Sequence, residues 1–198
     1  MKRFASLRTG FCIATLAASF AAISAHAQIL NGGFETGDLS GWTINDPSNF
    51  TVIGTAAPLA NSGSFYANLG AYQTTGSFSQ SFATSAGQMY NVSFFLANDS
   101  DGTGTEFLNI FFDGVPVANF TTTNFAFDPN FGPYTKVTLN GLLATTSSTT
   151  LEFQHRNDQG YWRLDDITAS AVPEPSTISI AVFGLMLLGA GMYRRARA

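Results

Sequence analysis

The sequence predicts an all-β protein, an antiparallel β-sandwich, and three observations carry that expectation. Tyr90, Val92, Phe94 and Leu96 alternate with Asn91, Ser93, Phe95 and Ala97, the period-two pattern of a strand with one face in a core. Leu108, Ile110 and Phe112 repeat the pattern and run into Asp113-Gly114, a two-residue hairpin signal. Between the two chain ends no long stretch shows helical spacing, and short apolar runs are separated by Gly, Asn, Asp and Ser turns.

Further strands are expected at residues 50–53, 64–69, 78–82, 134–139, 150–156 and 161–169, with 115–120 returning from the hairpin. Pro116 lacks an N–H, so that return strand belongs at a sheet edge or carries a bulge. The last strand contains a conflict of phase. If Trp162 and Leu164 face the core, strict alternation sends Asp166 inward, whereas an inward Ile167 and Ala169 bring Asp165 with them. A bulge between the two sets reconciles the phases; without one, a carboxylate enters the interior.

The two ends of the chain differ from this body. Lys2, Arg3 and Arg8, an apolar run from residue 11 to 23, and Ala25-His26-Ala27 make a cleavable signal peptide over residues 1–27. Cys12, the only cysteine, goes with it, so the exported chain has no disulfide, thiol nucleophile or thiolate metal site. At the other end Pro173-Glu174-Pro175 is followed by an uncharged run from Ser176 to Tyr193 and then by Arg194, Arg195 and Arg197. Such a run forms a helix of about 18 residues, near the lower limit for crossing a bilayer, and the arginines predict a cytoplasmic end. Residues 28–171 remain as one domain and 172–198 as a tail.

Removing Glu174 and the six basic residues of the two ends leaves 12 acidic side chains against Lys136, Arg156 and Arg163. Nucleic acid is excluded as a partner, because phosphate binding needs clustered cations. Cations, neutral sugars or other proteins suit this surface.

The Pro-Glu-Pro motif, apolar span and Arg-rich end resemble the PEP-CTERM sorting signal of Gram-negative bacteria. The resemblance implies an exosortase-type enzyme that recognises Pro173, Glu174 and Pro175 and processes the tail. It also implies an inner-membrane precursor and a destination in the cell envelope, the outer surface or an exopolysaccharide or biofilm matrix.

Asn31-Gly-Gly-Phe-Glu35 with Gly41-Trp42 near one end of the domain, and Gly160-Tyr-Trp-Arg-Leu-Asp-Asp-Ile167 near the other, resemble the galactose-binding-like β-sandwich. That jelly roll is shared by many carbohydrate-binding modules. The resemblance implies a structural calcium where the opening segment meets the final strand. Glu35 and Asp166 are its implied side-chain ligands, Asp165 is a further candidate, and carbonyls near Gly63 complete the shell. The same carboxylates also suit turn caps or pairing with Arg163. A second acidic loop, residues 98–106, starts like a calcium loop but departs from EF-hand spacing, and reads as a turn between strands.

Catalytic patterns are sparse. His155, the single histidine after export, sits at strand spacing with Leu151 and Phe153, and no Gly-x-Ser-x-Gly elbow accompanies it. Glu35, Glu106 and Glu152 are the available carboxylates for a glycosidase pair, which needs a defined separation. Among the aromatics Trp42, Tyr72, Tyr134, Tyr161 and Trp162, the tryptophans belong with core positions. Tyr72 and Tyr134, in Gly-rich loop settings, are the candidates for sugar contact. The first expectation is a non-enzymatic exported envelope or matrix protein. The second is a calcium-stabilised carbohydrate-binding module, and the third a polysaccharide-acting hydrolase.

Overall fold

The computed structural model describes residues 28–100, 102–123, 125 and 133–173. The signal segment 1–27, Glu174, Pro175 and the apolar span that follows lie outside the described residues; Pro173 is the last one within them. Among the described residues no helix is long and apolar enough to cross a membrane.

Among the described residues ten strands follow one another: β1 (Thr43–Asn45), β2 (Thr51–Gly54), β3 (Tyr66–Leu69), β4 (Gly76–Ala83), β5 (Met89–Asn98), β6 (Glu106–Phe112), β7 (Val115–Phe120), β8 (Thr135–Leu143), β9 (Ser148–Asn157) and β10 (Trp162–Ala171). A 3-10 turn, Ala57–Leu59, sits between β2 and β3. One sheet has the order β1-β4-β9-β6-β7 and the other β2-β3-β10-β5-β8, with antiparallel neighbours throughout. The runs β3-β10-β5-β8 and β4-β9-β6-β7 are the two halves of an eight-stranded jelly roll, and β1 and β2 extend one edge of each. Among the described residues both sheets and the core between them lie within residues 28–173.

Alternation along β4, β5, β6 and β9 sends Phe78, Phe94, Ile110 and Phe153 into the space between the sheets, all of them fully buried. Phe94 meets Phe153 edge-on at 5.4 Å across that space. The segment before β1 closes one flank: Trp42 stacks on Phe78 at 4.3 Å, with its Nε1 donating to the Asn31 carbonyl. Gln80 fastens the same segment by bonding both polar atoms of the Leu30 backbone and the Gly41 carbonyl.

The hairpin and the edge follow the sequence. Asp113 (φ 54°) and Gly114 (φ 77°) both take positive φ between β6 and β7, as a primed two-residue turn requires. β7 is an edge strand, and its register with β6 shifts beside Pro116. The conflict in β10 is resolved by a bulge: pairing with β5 shifts between Asp165 and Thr168, and Asp166 takes φ 49°. Trp162, Leu164 and Ile167 are thereby all buried in the core, while Asp165 is buried on the other face and Asp166 is half-buried. Two elements differ from the expectation. β1 is a three-residue exposed edge strand with no apolar alternation to reveal it. β8 continues past Asn140-Gly141 to Leu143, because Gly141 (φ 69°) donates to Asn91 Oδ1 and absorbs a register shift in the middle of the strand.

Candidate functional site

A cleft of about 320 Å³ opens at one end of the sandwich, where Gly70 follows β3 and the turn 158–161 joins β9 to β10. Phe50 and Tyr72 form its lip, each 45% exposed, with their rings edge to face at 6.3 Å. Tyr161 is half-buried in the wall, which Asp158 and the exposed Gln159 also line, with Asn157 buried beneath. Two glycines make this shape possible. A Cβ at Gly70 would stand 2.5 Å from the Tyr161 ring, and one at Gly160 would stand 2.6 Å from the Asp99 carbonyl.

The lip is held from beneath by Asp46. Its Oδ1 accepts from the Ser48 N–H and hydroxyl, and its Oδ2 accepts from the Phe50 N–H at 3.0 Å and from Thr51 Oγ1 at 2.8 Å. Burial works to raise the Asp46 pKa, but these donors outweigh it and leave the carboxyl below its ordinary value. Ser48 Oγ in turn accepts the Tyr72 N–H at 2.9 Å. The opposite wall is braced by Asp158. The Arg156 guanidinium forks onto it at 2.8 and 2.7 Å, and the N–H groups of Gln73 and Thr105 add 2.7 and 3.2 Å bonds. The Arg156 bond foremost holds the Asp158 carboxyl down at about 2. Gln73 Nε2 then donates to the Tyr72 hydroxyl at 3.0 Å, so lip and wall are tied together.

The cleft thus offers two exposed aromatic rings beside the exposed Gln159 amide, groups that can pack on the apolar face of a ring-shaped ligand and bond its polar substituents. Of the residues singled out from sequence, Tyr72 and Tyr161 are here, and Trp42 and Trp162 are in the core. Tyr134 departs from its expected exposure. It is half-buried, its ring lies 5.0 Å from the Arg163 guanidinium, and its hydroxyl is buried with no partner among the described residues. Burial pushes that hydroxyl's pKa up. Phe50, Asn157, Asp158 and Gln159 were not singled out. Their signal is modest: an aromatic before a short strand, and an Asn-Asp-Gln-Gly turn between two strands.

Glu35, Asp165 and Asp166 converge on a different place, the loop that leads into β3. Glu35 accepts the N–H groups of Ser64 and Phe65, and Asp165 Oδ2 accepts those of Asn61 and Ser62. Asp166 accepts from Asn61 Nδ2 and Ser62 Oγ, while its own N–H donates to Asp165 Oδ1. Burial above all, with the Asp166 charge adding to it, raises the Asp165 pKa to about 6. The loop fits tightly: a Cβ at Gly63 would lie 2.2 Å from the Glu35 carboxyl carbon. The opening segment does meet the final strand here, with the Ile167 N–H donating to the Gly32 carbonyl at 2.9 Å. Among the described residues no group of three or more His, Cys, Asp and Glu side chains is placed to hold one metal ion. Asp166 is the carboxylate of the three whose donors are both side chains, which can turn away; the backbone donors on Glu35 and Asp165 Oδ2 cannot. Oxygen-only donors of this kind suit calcium.

The three glutamates named for a glycosidase pair lie apart: Glu35 on this loop, Glu106 between the sheets, and Glu152 half-buried on the outer face of β9. His155 is fully buried and bonded to Thr51, with no exposure to a substrate. Among the described residues Arg163 pairs with Asp99 and not with these carboxylates.

No protein-family model matches the chain, and no curated protein does. Solved structures do share its fold. The family 61 carbohydrate-binding module TmCBM61, solved with β-1,4-galactotriose, superposes with a TM-score of 0.54 at 18% identity over 72% of this chain and 96% of that one. The K3 cleaved adhesin domain of Lys-gingipain from Porphyromonas gingivalis gives 0.53 at 13% identity, over 74% and 99% of the two chains. The enzymatically active domain of tailspike protein 4 from bacteriophage CBA120 gives 0.54 at 15%, over 74% of this chain, which spans 21% of that one. At these identities the likeness establishes the β-sandwich, and function must be argued from the site.

Proposed function

We propose that this chain is an exported carbohydrate-binding β-sandwich of the galactose-binding-like type, and that it takes its glycan in the Phe50–Tyr72–Tyr161 cleft. The observation that carries the reading is the braced lip: two large aromatic rings, each half in solvent, whose backbone N–H groups are held by Asp46 and Ser48, beside the exposed Gln159. An acidic domain surface favours neutral glycans over anionic ones. The fold it shares with carbohydrate-binding modules agrees with this reading. The role is binding without turnover. A glycan array on residues 28–173 tests it: saturable binding to neutral polysaccharide without release of reducing sugar is expected, and turnover lost on changing Glu35, Glu106 or Glu152 would make the protein a hydrolase instead.

The PEP-CTERM-like tail supports a reading in which this module works outside the cell. An exosortase-type enzyme recognising Pro173, Glu174 and Pro175 would release the domain from a transient inner-membrane precursor. It would then reach the envelope, outer surface or exopolysaccharide matrix of a Gram-negative cell. A neutral-glycan binder there is an adhesive matrix component. Calcium belongs to the same reading as reinforcement of the loop before β3. Glu35 and Asp166 would hold the ion, with Asp165 behind them, the ion taking the places of the Asn61 and Ser62 side-chain donors.

A further inference from the structure

At the cleft end of the sandwich the inward-facing rows turn polar. Leu108, Ile110 and Phe112 of β6 point into the core, so Glu106 at the start of that strand points the same way. Asn157 of β9 is its cross-strand partner, and Asn98 closes the row from β5 in the other sheet. Asn98 Nδ2 donates to Glu106 Oε2 at 3.2 Å, and Asn157 Nδ2 reaches Asn98 Oδ1 at 3.4 Å. Glu106 is 8% exposed and the two asparagines less. Yet Glu106 Oε1 is fully buried and accepts no hydrogen bond from any described residue.

Among the described residues that carboxylate has no cationic neighbour. The domain's three basic side chains are committed elsewhere: Arg156 forks onto Asp158, Arg163 bonds Asp99 and the Leu59 carbonyl, and Lys136 lies over the Phe95 ring. One neutral donor at 3.2 Å is weak compensation for a nine-tenths buried charge. The contrast with Glu35, Asp165 and Asp166 is direct, because every carboxylate oxygen of those three accepts a hydrogen bond.

We propose that Glu106 Oε1 is a ligand of a divalent cation of the calcium class, held between the sheets beneath the cleft. Asn157 Oδ1 is a second ligand. Among the described residues it accepts only the Gln159 N–H, at 3.3 Å, which leaves a lone pair. Water completes the shell. All donors are oxygens, which selects a hard cation, and the mixed carboxylate–amide set suits calcium's flexible coordination more than the strict octahedron of magnesium. Nitrogen ligation is closed off, since both ring nitrogens of His155 on the same face of β9 already bond Thr51 and the Phe153 carbonyl. With a single carboxylate the site belongs to the weak extracellular range, with a dissociation constant of about 0.1–1 mM. The cation would link β6 and β9 directly below the turn that carries Asp158 and Gln159. The proposal stands on the buried carboxylate and does not depend on the glycan reading.

The test is a calcium titration of EGTA-stripped protein, residues 28–173, followed by isothermal calorimetry and by the melting temperature. Four chains are compared: wild type, Glu106→Gln, Asp166→Asn and the double variant. In the Asp166→Asn chain one calcium is expected to remain, with a midpoint of about 0.1–1 mM, and Glu106→Gln should weaken that binding at least tenfold. Glu106→Gln is also expected to melt no lower than wild type without calcium, since it removes an uncompensated buried charge. Equal calcium response with and without Glu106, or none at 10 mM in the Asp166→Asn chain, overturns the proposal. Should Glu106→Gln fail to fold, calcium-soaked wild-type crystals decide. An anomalous peak beside Glu106 Oε1 supports the site, and water alone there overturns it.

Discussion

Thr51 Oγ1 lies 2.8 Å from Nε2 of buried His155, joining the edge strand β2 of one sheet to β9 at the centre of the other. The same hydroxyl bonds Asp46, so a continuous chain runs from the core through Thr51, Asp46 and Ser48 to the backbone of Tyr72. Thr51→Val keeps the shape and removes the link, leaving a buried ring nitrogen and a carboxylate oxygen each one partner short. The expected loss is about 2 kcal/mol of unfolding free energy by urea titration. A change below 0.5 kcal/mol would show that the chain does not couple lip to core.

Asp165 gives the loop before β3 a distinctive pH response. Its folded pKa of about 6 exceeds the ordinary unfolded value near 4, so between those limits the folded state holds the extra proton. In EGTA its contribution to stability therefore grows as pH falls from about 7 towards 4, and Asp165→Asn should remove that gain. His155 acts in the opposite sense. Burial lowers its pKa, so the unfolded chain takes the proton first and stability is lost as pH falls below about 6.5. The wild-type minus Asp165→Asn difference in melting temperature isolates the aspartate. Calcium at Glu35 and Asp166 would favour the ionised carboxylates and shrink that difference at pH 5; a difference independent of both pH and calcium would contradict the assignment.

The tail makes a separate prediction. Native protein recovered from the cell surface or medium is expected to begin at Gln28 and to end near Pro175, as read by intact mass. A product ending at Ala198 would turn the tail into a permanent anchor.

Much of the fold was legible because the signal was local. Alternation in β5, β6 and β9, the Asp113-Gly114 turn and the edge-marking Pro116 are each set by a few neighbouring residues. Even the β10 bulge could be read from the phase clash between Leu164 and Ile167. The site was less legible because its parts meet only through tertiary packing. Phe50 and Tyr72 are brought edge to face by Asp46 and Ser48, and Asp158 braces a loop 85 residues away in sequence. Tyr134 looks exposed beside Pro133, but the Arg163 guanidinium from β10 covers its ring. Glu106 looked like the end of a polar turn. Extending the Leu108–Ile110–Phe112 phase back by two residues is what turns it inward.

The central claim, a glycan cleft lipped by Tyr72, is tested most directly by affinity titration of residues 28–173. Wild type and Tyr72→Ala are compared against the neutral polysaccharide that a glycan array selects. Tyr72 is exposed, so its loss should leave the melting temperature within about a degree or two, as for most surface substitutions. Affinity should fall at least tenfold, about 1.4 kcal/mol. Undiminished binding by a folded Tyr72→Ala chain would contradict the account.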